Sequence, residues 1–293
     1  MSERANHGPG SQLLRSFRRV GWRHLVGVLA VIFSLVPIVF VVSAALNPVG
    51  SLSSTQLYPT GAGLGNFSDL LRTTAFGHWY LNSVLIAGLS AFSGVFVSML
   101  AAFAFSRLRF TGRRVGLIAL LLIQMFPQFL AVVAIYLMFG RIGDFYPALG
   151  LNTQLGLLLL YLGPALGVNT WLMKGFLDTV PRELDESAVI DGATHAQIFF
   201  RIILPLVTPM LAVTGLLGFI FTINEFLLAN TFLTTPETKT LAVGLYGLIA
   251  GQRNANFGMF CAGSLLTAVP TVVLFQFLQR YIVSGLTSGA VKG

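Results

Sequence analysis

Residues 185–209 read DESAVIDGATHAQIFFRIILPLVTP. Acids, a Gln, a His and an Arg crowd into this stretch of an otherwise apolar chain. Residues able to do covalent chemistry are sparse elsewhere. His7, His24, His78 and His195 are scattered, without the spacing of metal ligands. The single Cys261 excludes an internal disulfide framework and a four-Cys metal site. No G-x-x-x-x-G-K-[ST] phosphate loop occurs, and no cluster of acids, bases and a nucleophile. No catalytic residue, metal ligand or bound cofactor is therefore expected, and the chemistry open to the polar stretch is recognition. It parses as two short helices. The first, near 181–190, starts at a Pro, which is tolerated in a first turn. Glu183 and Asp185 suit its positive end, and Gly192 is a fitting stop. The second opens on Thr194-His195-Ala196-Gln197, a capping box. Ala196, Phe199, Phe200 and Ile203 then form one apolar stripe at helical spacing. Leu204-Pro205 and Pro209 mark a return into apolar sequence. Two readings fit: an interfacial helix on lipid headgroups, or a knob whose small residues Ser187, Ala188 and Ala193 let a partner's backbone come close.

The elements around this stretch are membrane spans. The chain has 293 residues, 55% hydrophobic and 10% charged, against about 25% charged for a soluble protein. Six stretches approach the roughly 20 apolar residues of a transmembrane helix: 24–46, 80–105, 115–139, 155–176, 206–233 and 257–282. The first follows Arg18, Arg19 and Arg23 and ends near Ser43-Ala44-Ala45, like a signal peptide. Its apolar run exceeds the roughly 7–15 residues of such a region, so it reads as a span. With the N-terminus inside, Arg4, Arg15, Arg18, Arg19, Arg23, Arg107, Arg109, Arg113, Arg114, Lys174, Arg182, Arg201, Arg280 and Lys292 fall on the cytoplasmic side. Only Arg72, Arg141, Lys239 and Arg253 fall outside. The positive-inside rule thus accounts for the net charge of +8 without nucleic acid. It puts both termini and residues 185–209 in the cytoplasm. Three parts follow: an N-terminal segment 1–23, whose Gly-rich and polar start suits disorder, a transmembrane domain 24–284 and a tail 285–293.

Polar residues inside spans are functional candidates by default. Asn224 and Glu225 lie in span 5. Gln124 and Gln128 stand beside Pro127 in span 3, where a Pro can break a helix around a cavity. Asn169 follows Gly163-Pro164 in span 4. These five are candidates for lining a path. The plainer alternative is hydrogen bonding between helices, about 0.6 kcal/mol each and up to about 2.

The polar stretch resembles the cytoplasmic motif of ABC importer permeases: Glu-Ala-Ala, three residues, Gly, nine residues, Ile, one residue, Leu-Pro. This chain carries Glu186-Ser187-Ala188, Gly192, Ile202, Leu204 and Pro205, departing only at Ser187. In that family the motif is a coupling helix seated in a cleft of the ATPase, which favours the knob over the interfacial helix. The resemblance implies that Glu186 pairs with a basic group there. Gly65-Asn66-Phe67 through Asn82-Ser83, and Asn224-Glu225-Phe226-Leu227, are similar to elements of sugar-importer permeases. The end, QRYIVSGLTSGAVKG, resembles the tail of the MalG-type permease of maltose and trehalose importers. That likeness implies that Gly289, Lys292 and Gly293 reach between two ATPase subunits. Gly251, Gln252, Arg253 and Asn254 resemble the scoop loop that enters the docked binding protein.

The resemblance implies an all-α integral membrane protein of six spans in the type I importer architecture. Its partners would be a homologous second permease, two ATPase subunits that bind ATP and Mg, an extracytoplasmic sugar-binding protein and membrane lipid. Glycerol-phosphate and other oligosaccharide importers share much of the pattern. An ion-gradient-driven transporter is the alternative class. It would show midplane ionisable residues and internal repeats, and Glu225 is the only deep acid.

Overall fold

A computed structural model describes residues 21–48, 58, 61–250 and 256–290, and all regular structure among them is helical. In chain order the helices are α1 (Trp22–Leu46), α2 (Gly65–Thr73), α3 (Phe76–Arg107), α4 (Arg113–Met125), α5 (Gln128–Phe145) and α6 (Gln154–Leu177). There follow α7 (Glu183–Ile190), α8 (His195–Leu206), α9 (Thr208–Ile223), α10 (Leu227–Phe232), α11 (Leu241–Ile249) and α12 (Phe257–Ala290).

The centre is α3, packed chiefly on α6 and α9. Its buried face carries Ser90, Gly94, Ser98 and Ala102 at every fourth position. Small residues at that spacing let helices approach closely where lipid supplies no hydrophobic drive. A side chain at Gly218 of α9 would touch the Ala91 backbone. The first helix, α1, is the opposite case. It buries only Ser43, Ala44 and Ala45, half-buries Phe40, Val41 and Leu46 beside them, and exposes its apolar length from Trp22 to Val39. About 38 Å long at 1.5 Å per residue, it spans a hydrocarbon core about 30 Å thick.

Among the described residues three helices are long and apolar enough to cross a membrane, Trp22–Leu46, Phe76–Arg107 and Phe257–Tyr281, and the number rises to six if each of three bent helix pairs is one span. The expected third span is two helices meeting at 101°. Pro127 has no N–H to donate and its ring clashes with the preceding turn. The fourth span bends by 46° at Pro164. The expected fifth span, 206–233, is also interrupted. Its helix begins at Thr208, turned 75° from α8, stops at Ile223 and resumes only at Leu227.

Arg107, Arg113, Arg182 and Arg201 mark one end of the bundle, called here the basic end. The far end is stitched by side-chain amides. Asn82 donates to the carbonyls of Glu237 (2.8 Å) and Lys239 (3.1 Å) and accepts from Gln154. The Trp79 indole donates to the Pro236 carbonyl, and the Leu241 amide donates to Ser83. Asn152, at φ +61°, accepts from the Thr234 and Thr235 amides. These bonds fix the segment that leads into α11.

Candidate functional site

At the basic end the polar stretch stands on the bundle as a two-helix knob. Glu183, Asp185 and Glu186 lie in the first turn of α7, where the helix dipole favours negative charge. Gly192, at φ +82°, ends it. The Ala193 amide bonds to the Ala188 carbonyl (2.9 Å) and the Gly192 amide to the Val189 carbonyl (3.0 Å). These two bonds form a Schellman motif, which needs a left-handed residue after the helix. The capping box is also in place: Gln197 N donates to Thr194 Oγ1 at 3.3 Å, and Thr194 N donates to Gln197 Oε1 at 2.7 Å.

The apolar stripe differs from the expected one. Ile198, Phe199 and Ile203 are buried, while Ala196 and Phe200 are exposed. Residues 198–203 form a π turn, whose wider winding shifts the phase of a 3.6-residue pattern. The buried residues face protein. Phe199 meets Phe103 of α3 edge-on at 5.2 Å, in a cluster with Met99, Met173, Leu177 and Ala188. Of the motif residues, Ala188 is buried, and Ile202 and Leu204 are half-buried. Glu186, Ser187, Gly192 and Pro205 are exposed. Ser187 donates to the Glu183 carbonyl at 2.7 Å. Beside Glu186, the apolar Val189 and Ile190 are left bare at 53% and 86% exposure.

What holds the knob was not visible in the motif. Arg107, the last residue of α3, places Nε 2.6 Å from Asp185 Oδ2, with the two side chains 6% and 16% exposed. Arg107 also donates to the Val180 carbonyl at 2.9 Å, and Arg182 returns a bond to the Ser106 carbonyl at 3.3 Å. Asp178 accepts from Ser106 (2.6 Å) and Lys174 (2.5 Å). Burial works to raise the Asp178 carboxyl. Bonds from Lys174 and Ser106, with the charges of Lys174 and Arg113, outweigh it and hold the group below the ordinary carboxylate range.

The five polar span residues separate. Gln124 donates to the Pro164 carbonyl at 2.6 Å and lies against Gly167, so it ties α4 to the bend of α6. Glu225 accepts from Tyr161 (2.6 Å) and from the amides of Leu228 (2.8 Å) and Ala229 (3.0 Å). It closes the gap between α9 and α10 by capping the second helix. Asn169 is half-buried on α6. Gln128 opens α5, its side chain lying outside the described residues. Asn224 lines a cleft. This cleft, of 360 Å³, runs between the end of α9, α11 and α12, and Phe226, Tyr246, Phe260, Ser264 and Thr267 share it.

The scoop-loop residues Gly251, Gln252, Arg253 and Asn254 lie outside the described residues, as do Lys292 and Gly293 of the tail. Gly289 falls within α12.

The described residues form a helical bundle with bent membrane spans and a polar knob at its basic end, the architecture of a membrane-embedded component. The family of binding-protein-dependent transport system inner membrane components matches residues 94–288, and the chain belongs to it. The chain is 38% identical to the galactooligosaccharides transport system permease protein GanQ of Bacillus subtilis, over 96% of this chain and 98% of that one. It is 42% identical to the maltodextrin transport system permease protein MdxG of the same organism, over 88% and 90%. In fold it is similar to a bacterial ABC transporter that imports the acidic polysaccharide alginate. The TM-score is 0.72 at 22% identity, covering 91% of this chain and 98% of that chain. It is thus a non-catalytic membrane component of an ABC import system.

Proposed function

We propose that this chain is one of two permeases in an ATP-driven importer of neutral oligosaccharides, of the maltodextrin or galacto-oligosaccharide kind. The relatives' substrates and the resemblance of the tail support that class. Trehalose rests on the tail alone. A homologous second permease completes the path, two ATPase subunits bind ATP and Mg, and a sugar-binding protein docks at the far end. Both termini and the basic end face the cytoplasm, in keeping with the charge distribution.

The observation that carries the proposal is the knob. It presents Glu186 beside the bare apolar Val189 and Ile190, while its rear is anchored to α3 through Arg107. An acid ringed by apolar contacts suits a basic group in a partner's cleft. The knob is also joined to the path. Its second helix, α8, turns directly into α9, whose 16 residues end at Ile223, next to Asn224. That is about 24 Å at 1.5 Å per residue. Movement of the knob with the ATPases is carried by this rigid element to the cleft.

The test is ATPase activity of the reconstituted complex with its binding protein. Maltotriose, a galacto-oligosaccharide, trehalose and glycerol phosphate are offered in turn. Stimulation by an oligosaccharide, abolished by Glu186→Lys, is expected. A complex that assembles but responds to no sugar refutes the substrate class, and failure of any ATPase to assemble refutes the docking role.

A further inference from the structure

We infer that the cleft between α9, α11 and α12 is a binding subsite for an uncharged, polyhydroxylated ligand, and that it selects against acidic glycans. The inference rests on the importer reading, and adds that this subunit itself touches the sugar.

The first ground is hydrogen-bond polarity. Ser264 donates its hydroxyl proton to the Phe260 carbonyl and Thr267 to the Gly263 carbonyl, both at 2.8 Å. Asn224 Nδ2 donates to the Ile220 carbonyl at 2.8 Å. Each side chain has committed a proton to its own helix. A hydroxyl or amide oxygen in that state offers lone pairs to what lies in front of it. Three acceptor oxygens therefore line the cleft, together with the second N–H of Asn224, and a sugar, which both donates and accepts, matches them. An anionic ligand instead needs N–H donors or cations. Among the described lining residues there is no Lys, Arg or His.

The second ground is shape. Phe226 and Tyr246 form a tilted pair with centroids 4.7 Å apart, and Tyr246 is 49% exposed. Aromatic side chains with a few polar groups among them are how ligand pockets hold and orient an amphipathic guest. A smaller cleft of 240 Å³ continues the first along α12 as far as Thr271 and Val272, sharing Asn224, Ser264 and Thr267 with it. Phe260 to Thr271 is about 16 Å of helix, so the combined cleft is elongated, as a short linear glycan requires.

The third ground is the backbone. The chain leaves the helix between Ile223 and Leu227. Non-helical backbone at membrane depth is tolerated only where it is buried in protein or lines a water-filled cavity. Glu225 satisfies the inner side of this break, through the Leu228 and Ala229 amides. Asn224 and Phe226 form its cleft side.

The experiment is calorimetric titration of maltotriose and of a trimeric oligouronate into the complete permease–ATPase complex in nanodiscs. The binding protein is omitted, so that its own selectivity does not enter. Maltotriose is expected to bind, and the oligouronate to show no heat at the same concentrations. Asn224→Leu and Thr267→Val, which each remove an acceptor, should weaken binding by about two- to tenfold. Tyr246→Ala should weaken it at least as much, and Tyr246→Phe, which keeps the ring, should stay within about twofold of wild type. Equal binding of the oligouronate overturns the inference, as does an unchanged Kd in Asn224→Leu, Thr267→Val and Tyr246→Ala. ATP-driven uptake of maltotriose with the binding protein is measured in parallel. Uptake without cleft-dependent binding overturns the cleft assignment and leaves the importer reading standing. No uptake of any neutral oligosaccharide overturns the importer reading itself.

Discussion

The ion pair between Arg107 and Asp185 makes the sharpest claim about how the knob is held. At 6% and 16% exposure both groups have given up most of their water. Removing one partner of a buried pair costs about 3–5 kcal/mol, because the other charge is left stranded. The lower end applies here, since Asp185 keeps some solvent contact and the first turn of α7 supports its charge. A loss of about 3 kcal/mol is about a hundredfold in an opening equilibrium. Hydrogen exchange reads this directly. In Arg107→Met or Asp185→Leu, the amides of α7 and α8 should lose about a hundredfold in protection. Those of α11, at the far end, should not change. Asp185→Leu should be the more damaging, since it leaves the deeper guanidinium with the Val180 carbonyl as its partner. The double variant should recover most of the loss, because two apolar side chains leave no stranded charge. Additive losses in the double variant, or single variants within about tenfold of wild type, would refute the reasoning.

Other expectations follow from single residues. Gly192→Ala places a side chain at φ +82° with open space around it, so its cost is backbone strain alone. About 1–2 kcal/mol is expected in thermal unfolding, with Gly192→Asn milder. Gly244 lies under the Trp79 ring, which is buried and tied to Pro236 through its indole. Gly244→Ala should therefore destabilise by about 1–3 kcal/mol, and more than Gly167→Ala, whose neighbour Gln124 can swing away. Asp178→Asn should cost well under about 1 kcal/mol, because the carboxylate is 40% exposed. Its depressed carboxyl stabilises the fold above the unfolded-state value and stops doing so as pH falls through the folded-state value. The gap between wild type and variant in a pH series of melting temperatures should close only at acid pH. Glu225→Leu strands the amides of Leu228 and Ala229, about 1–3 kcal/mol each, whereas Glu225→Gln keeps an acceptor and should lose less.

The spans and the knob could be read from sequence because they rest on local signals. Apolar runs longer than a bilayer, a Gly stop and a capping box each act within a few residues of themselves. The failures share a cause too. A 3.6-residue repeat places the stripe on α8, and no local signal announces the π turn that tucks Phe199 under Phe103. The partner of Asp185 sits on another helix, so nothing near residue 185 names Arg107. The polar span residues are the most instructive. Asn224 and Glu225 are adjacent, in the same expected span, and both are costly in lipid, the carboxylate more so. Composition assigns both to the path. Tertiary structure separates them by where their hydrogen bonds go. Glu225 spends both oxygens on amides and a phenol inside the protein, so a substitution there acts on folding. Asn224 bonds only to its own helix and leaves its oxygen at the cleft, so a substitution there acts on what the cleft holds. A polar residue in a span becomes a functional assignment only after its partners are counted, and both carboxylate oxygens of Glu225 are already taken.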